Sequence, residues 1–383
     1  MIQPDKNNLT YAAIHSRRLI LQLLRNGPLS RRQLMDMTGL RGSTITYIVR
    51  DLLEGNIIRT VGKRKSNTVG KKQILLEVNP QLGWVAGFGI SDDWGFLTYL
   101  DMAGNVLDRD HFEITADLPK ILDVLAERVG VWSSAHSKKK VGQMLGVGVG
   151  TPGVVNADTG EIKLSTMLKL KNCPMRDMVS KRFGGARVCI DNNVNYAAQA
   201  EARLGSAAGL RNFIYFHINV SSAGGSYRFK SIGSTHCLEG KPYRGAHYSA
   251  GEIDRLLQGM VPVNDFTASD LLVLGEADGK ANDGLKKLIT GMAWTLATIC
   301  DLSDPQAVIL GSNLPFCNKE LIDLLQTELN NNLVPVPDRY IPVNASEFSD
   351  HGVAIGSALA VLDHAVSNLE DGVLAGLSNG NGS

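Results

Sequence analysis

The chain has 383 residues, 44% hydrophobic and 20% charged, with a formal net charge of +1; the length suits two or three domains, and the composition excludes wholesale disorder, collagen and coiled-coil rods. No run approaches the ~18 consecutive apolar residues of a membrane span, and the opening MIQPDKNNLT is too polar for a secretory signal. Five cysteines (Cys173, Cys189, Cys237, Cys300, Cys317) form no CxxC pair, so no disulfide framework is expected and a cytoplasmic location is.

The small net charge conceals an asymmetry. Residues 1–80 carry 14 Lys and Arg against 5 Asp and Glu, a net of +9, while the remainder carries 25 basic and 33 acidic groups, a net of −8. A basic head on an acidic body points to a polyanion partner for the head. Three helical patterns fit within residues 10–55. In the first, Leu19, Ile20, Leu23 and Leu24 repeat at helical spacing until Asn26-Gly27-Pro28 stops them. Ser30 occupies an N-cap position ahead of RRQLMDMTGL, in which Leu34 and Met37 are expected to face inward and Gly39 to make the turn.

The third pattern, starting near Ser43 or Thr44, places Ile45, Ile48, Val49, Leu52 and Leu53 on one apolar stripe. The opposite face presents Ser43, Thr46, Tyr47 and Arg50, with Arg41 and Thr44 at its entrance. Small hydroxyls allow close approach to a groove floor, and Arg and Tyr reach bases or phosphates. A helix, a glycine turn and such a second helix form a helix-turn-helix. Beyond it, Ile57–Val61 and Ile74–Val78 read as strands flanking GKRKSNTVGKKQ, whose Lys63, Arg64, Lys65, Lys71 and Lys72 suit a wing that meets phosphates or a minor groove. The competing reading is a protein-interaction hairpin with a basic loop. The recognition face, the wing and the +9 balance together favour double-stranded DNA.

From Trp84 onward, strand-like and helix-like segments alternate as in an α/β fold. Val85–Ile90, Gly95–Leu100, Met144–Gly150, Val188–Ile190 and Phe213–Ile218 read as strands; Leu118–Val131 and Tyr196–Leu204 read as helices. The boundaries expected are residues 1–80 for the winged head, 81–205 for a first lobe, 206–366 for a second lobe whose last helix returns to the first, and 367–383 for a flexible tail ending in SNGNGS.

The order RRLILQLLRNGPLSRRQLMDMTGLRGSTITYIVRDLL, KKQILLEVNP, GVGTPGVV, DNNVNYAAQAEARLG, RGAHYSAGEI and DPQAVILGSN resembles the ROK family of repressors and sugar kinases, more narrowly its repressor branch. The resemblance runs from about residue 10 to about residue 365. It implies an α/β fold in which an N-terminal winged helix-turn-helix precedes a two-lobed, actin-like (ribonuclease H-like) ROK body with a sugar cleft. A homodimer or homotetramer is implied too, as is a DNA operator built as an inverted repeat.

Three departures from the family pattern bear on chemistry. Where the kinases carry an Asp-Gly-Gly-Thr phosphate loop, this chain has Gly89-Ile90-Ser91-Asp92, and their second, glycine-rich phosphate loop is replaced by Asn219–Gly225. Side chains there obstruct backbone N–H groups from closing on phosphate oxygens. The catalytic Asp of the Asn-Asp-x-Asn motif is Asn193, a neutral amide that cannot serve as a base, and Asp191 lies two positions away. The zinc pattern of the family is missing as well: the expected His is Arg255, no cysteine cluster follows, and His236, Cys237 and His247 read as incidental residues of a surface loop. No catalytic residue, metal or cofactor is therefore expected.

By the same resemblance Gly153, Asn192, Asn193 and Glu252 occupy sugar-contacting positions. Asn193 retains hydrogen-bonding capacity. Arg255 either admits an acidic or phosphorylated sugar or pairs internally with Glu252. The function expected is a transcriptional regulator of carbohydrate-related genes, a repressor, with a non-catalytic effector body that binds a sugar or sugar phosphate. The alternatives are a body that binds a protein partner, a vestigial cleft, and an active sugar kinase that kept its DNA-binding head.

Overall fold

Three helices and a small sheet make the N-terminal head. The computed structural model describes residues 6–64, 73–137, 141–253, 265–267, 269–270, 283–314 and 319–379. Helix α1 (Lys6–Leu24) buries Ile20, Leu21 and Leu24, and β1 (Leu29–Ser30) leads into α2 (Arg31–Thr38). Ser30 is the N-cap, closing a capping box with Gln33, and its Oγ lies 2.8 Å from Oε1 of Gln73. Ser30→Ala should lower stability in urea denaturation by about 1 kcal/mol, the usual worth of an N-cap; an unchanged midpoint would deny the cap its role.

Met37 departs from expectation: it is 58% exposed. The covered stripe of α2 runs through Arg31, Leu34, Met35 and Thr38, so Met35 takes the inward place and Met37 faces solvent at the last turn before the Gly39 cap. Helix α3 (Gly42–Glu54) buries Ile45, Ile48, Val49 and Leu52. Strands β2 (Ile58–Arg64) and β3 (Gln73–Val78) form an antiparallel pair, and β1 joins the outer side of β3.

The first lobe begins with β4 (Gly83–Ile90), β5 (Trp94–Asp101) and β6 (Val106–Glu113), followed by α4 (Leu118–His136) and β7 (Gln143–Thr151). A small antiparallel sheet of β8 (Val154–Asn156), β9 (Glu161–Ser165) and β10 (Leu170–Cys173) precedes α5 (Met175–Arg182), β11 (Arg187–Asn192) and α6 (Asn193–Leu204). The main sheet runs β11–β7–β4–β5–β6, parallel among the first three and antiparallel thereafter. Every residue of β4 is buried, because the sheet is covered on both faces.

The second lobe contains β12 (Phe213–Ala223), β13 (Ser226–Leu238), β14 (Lys241–Pro242), β15 (Phe266–Thr267), α7 (Asp283–Ser303), β16 (Val308–Ser312), α8 (Lys319–Asn332) and β17 (Val343–Ala345). Its sheet runs β14–β13–β12–β16–β17, with β15 beside β13. Helix α9 (Gly352–Asn379) then returns to lie across β4 and β7 of the first lobe. The helix backbone extends past residue 366, through much of the segment expected to be a tail, and residues 380–383 lie outside the described residues.

The glycines of β4 and β7 have a packing reason. A Cβ on Gly87 would stand 1.9 Å from the carbonyl oxygen of Ala354, and one on Gly148 would stand 2.1 Å from that of Ser357, so α9 seats directly on the strand backbones. The same helix joins the head to the body. Ile20, Leu24, Ile45 and Leu52 of the head share one continuous hydrophobic cluster with Val85, Leu100, Ile355 and Leu362. Among the described residues no helix is long and apolar enough to cross a membrane.

Candidate nucleic-acid interface and interlobe cleft

Burying Ile45, Ile48, Val49 and Leu52 forces the opposite face of α3 outward. Arg41, Ser43, Thr46, Tyr47 and Arg50 are exposed there, with Thr44 half-buried. The structure therefore brings all six expected recognition residues to one face or its entrance. Arg41 is the N-cap without a side-chain cap, so its guanidinium is not committed to the helix end. Thr46 donates to the carbonyl of Gly42 at 2.7 Å, which fixes its hydroxyl and turns its lone pairs outward. Arg50 stacks over Tyr47 at 5.4 Å and reaches Glu54 at 3.8 Å. Both ion-pair partners are exposed, so the pair holds Arg50 only weakly. An ion pair between Arg17 and Asp51 fastens the back of α3 to α1. Of the wing, Lys63 and Arg64 end β2, whereas Lys65, Lys71 and Lys72 lie outside the described residues.

A cleft of about 510 Å³ opens between the lobes. Gly153, Asn192, Asn193 and Glu252 all line it, while Arg255 lies outside the described residues. Gly153 sits at φ +112, and a Cβ there would stand 2.2 Å from the carbonyl oxygen of Leu164. Only glycine fits that turn. Asn192 caps α6 through Oδ1 and donates from Nδ2 to the carbonyl of Gly153 at 2.8 Å, so its amide ties the turn to the helix. Asn193 uses Oδ1 to accept from the N–H of Val194, and among the described residues its Nδ2 has no protein partner.

Several lining residues escaped sequence reasoning. His217 is held in its neutral form, because burial drives it down to about 4. Lys230 of the second lobe donates to Asp92 of the first at 2.8 Å, an ion pair spanning the cleft mouth. That mouth corresponds to the expected first phosphate loop, and Asp92 and Asp93 both line the cleft there. Residues 219–223 form no loop at all. They extend β12, paired with β13 around a Gly224-Gly225 hairpin turn, and their backbones are engaged in a strand ladder.

Asp191 does not line the cleft. Its carboxylate, 1% exposed, turns to the far side of β11, where it accepts from Arg244 Nε at 2.9 Å and from Asn195 Nδ2 at 3.0 Å. Arg244 was visible in the RGAHYSAGEI segment, but nothing in the chain order revealed its partner. Arg244→Ala should cost about 2 kcal/mol in denaturant unfolding, below the usual loss for a broken buried pair because Asp191 keeps two hydrogen-bond donors. A loss under 0.5 kcal/mol, roughly the scale of a neutral surface change, would show the pair to be dispensable.

His236 and Cys237 correct another expectation. They belong to β13, not to a surface loop, and Cys237 is fully buried in the ladder. His247 is exposed beyond β14. Among the described residues no three His, Cys, Asp or Glu side chains converge as metal ligands.

The head is thus a winged helix-turn-helix, and the body is a mixed α/β, two-lobed unit of the actin-like kind found in sugar kinases. Residues 96–257 match the model of the ROK family, and residues 14–59 match that of winged helix-turn-helix DNA-binding domains. The chain carries a ROK family domain behind a winged helix-turn-helix. It is 20% identical to the xylose repressor of Caldicellulosiruptor bescii over 94% of this chain and 98% of that one. It is 24% identical to the DNA-binding transcriptional repressor Mlc of Escherichia coli K12 over 89% and 90%. Among solved structures, a ROK family transcriptional regulator homologous to the E. coli Mlc protein superposes with a TM-score of 0.70 at 17% identity, covering 94% of this chain and 98% of that one. A ROK family glucokinase of Streptomyces griseus, in complex with glucose and AMPPNP, superposes at 0.57 and 18% identity, covering 73% and 99%.

Proposed function

We propose that this protein is a sequence-specific DNA-binding repressor of carbohydrate-related genes, working in the cytoplasm as a homodimer or homotetramer. Its kinase-like body binds a sugar or sugar phosphate without turning it over. The observation that carries the reading is the exposed Arg41–Arg50 face of α3 on a head whose core is continuous with the body through α9. A ligand that favours one lobe arrangement then has a mechanical route to the spacing of two heads on an inverted repeat. A coupling of about 1–3 kcal/mol would change operator affinity roughly 5- to 150-fold. Relatives named xylose repressor and Mlc repressor support both the DNA and the sugar parts of the reading.

Absence of catalysis is part of the proposal. Asn193 stands where a base is needed, Asp191 is engaged by Arg244 behind the strand, and the second phosphate loop is replaced by a ladder. Phosphoryl transfer depends on positioning and charge stabilisation, and these residues supply neither. Asn193→Asp should therefore release no more ADP than the parent on a sugar panel in a coupled assay. Sugar-dependent turnover by either protein would overturn this part.

The direct test is a genome-fragment binding selection with pooled sugars and sugar phosphates present or absent. Enrichment of an inverted repeat that one pool alters is the expected result. Enrichment indifferent to every pool would remove the small-molecule effector, and no enrichment at any salt concentration would remove DNA binding itself.

A further inference from the structure

A second cavity, of about 820 Å³, lies behind the first lobe, where α1 of the head meets the body. Its cations are Arg25 from the end of α1, Arg176 and Arg187 from the first lobe, and Lys241 and Arg244 from the second. Against these five stand three carboxylates, Asp158, Asp191 and Asp363, so the walls carry an excess of two positive charges. All three carboxylates are already engaged, Asp158 by the hydroxyl of Tyr248. Asp191 is taken by Arg244, and one oxygen of Asp363 is shared at 2.6 Å by Arg25 and by Arg203 just outside the cavity.

Arg176, Arg187 and Lys241 form no ion pair among the described residues. Arg176 donates only to the backbone carbonyls of Asp158 and Ala157, at 2.6 and 2.8 Å, and its Nε is buried without a partner. Arg187 extends toward the ring of His364, 3.3 Å away. Partial burial, aided by Arg187, lowers the pKa of that imidazole. Nε of Arg25 and Nε of Arg203 are also buried and unpartnered. Burial lowers Arg25 to about 10, and the nearby Arg203 adds to that lowering. Five cations crowded round a space of small-molecule size repel one another, and an anion seated among them would offset that repulsion.

We propose that this cavity binds a phosphate monoester dianion, separately from the interlobe cleft. A dianion matches the charge excess, and planar guanidiniums pair with phosphate oxygens bidentately. The cations come from the head and from both lobes, so the bound phosphate ties α1 to the body at the joint between them.

The test uses the full-length protein, with inorganic phosphate and glycerol 3-phosphate as probes and sodium chloride to match ionic strength. Glycerol 3-phosphate should raise the melting temperature and give a saturable calorimetric isotherm, with inorganic phosphate binding more weakly. Arg187→Ala and Lys241→Ala, both at exposed positions, should each raise Kd about tenfold, as expected for one lost charge-assisted contact. Asn193→Ala in the cleft should leave Kd within about twofold, the scale expected for an independent site. The proposal is overturned if neither probe binds, if both cation variants bind like the parent, or if Asn193→Ala abolishes binding and so moves the phosphate into the cleft. None of these measurements contains DNA, so their failure and a failure of operator binding are separately visible.

Discussion

Gly148→Val should destabilise the protein by about 3 kcal/mol or more, at or above the upper end for an overpacked core. The obstruction is backbone: the new Cβ would meet the carbonyl oxygen of Ser357 at 2.1 Å and its carbon at 2.4 Å. No rotamer relieves that contact, so α9 must lift from the sheet. Lifting it uncovers Val85, Leu100 and Ile355, which belong to the cluster that also holds the head. Loss of cooperative thermal unfolding, or aggregation at physiological temperature, is the expected readout. Gly130 supplies the contrast. A Cβ there meets nothing within 4 Å on the exposed side of α4, so Gly130→Ala should raise stability by about 0.5–1 kcal/mol. If Gly148→Val melts like the parent, α9 does not sit where the structure puts it.

Arg41→Ala combined with Arg50→Ala should lower operator affinity about hundredfold or more, with each arginine contributing on the order of 1–3 kcal/mol. Both side chains are exposed, and the pairing of Arg50 with Glu54 is a weak surface contact, so circular dichroism and melting should be unchanged. The two roles open to these arginines separate by salt. Lost phosphate contacts would flatten the salt dependence by about one unit per arginine and weaken all sequences alike, whereas lost base contacts would erode discrimination between operator and random DNA. Affinity and salt slope both equal to those of the parent would exclude α3 as the recognition helix.

The head was legible because its signals are local. Apolar spacing placed Ile45, Ile48, Val49 and Leu52 inside, and the exposed face followed from helix geometry alone. Met37 was misplaced for a related reason: an eight-residue helix has two candidate stripes, and packing selected the one through Met35. The cleft residues Gly153, Asn192, Asn193 and Glu252 were reached through motif order, and they meet across elements separated by many residues. The partners that matter electrostatically were not legible. Arg244 meets Asp191 across 53 positions and Lys230 meets Asp92 across 138, and neither spacing leaves a periodic trace.

The sequence by itself determined the order of parts: a basic helix-turn-helix and a β–α body with glycine-bearing strands; that Asn193 replaces a catalytic carboxylate is what the resemblance to the ROK family implies. These depend on residue type and near-neighbour spacing, which chain order carries in full. Tertiary structure decided that those glycines exist to seat α9, that Asp191 turns away from the cleft, that residues 219–223 pair as a strand, and that more cations than carboxylates gather where the head meets the body. Each of those depends on which distant segments approach one another, and that is settled only when the apolar faces of the head, both lobes and the returning helix are buried together.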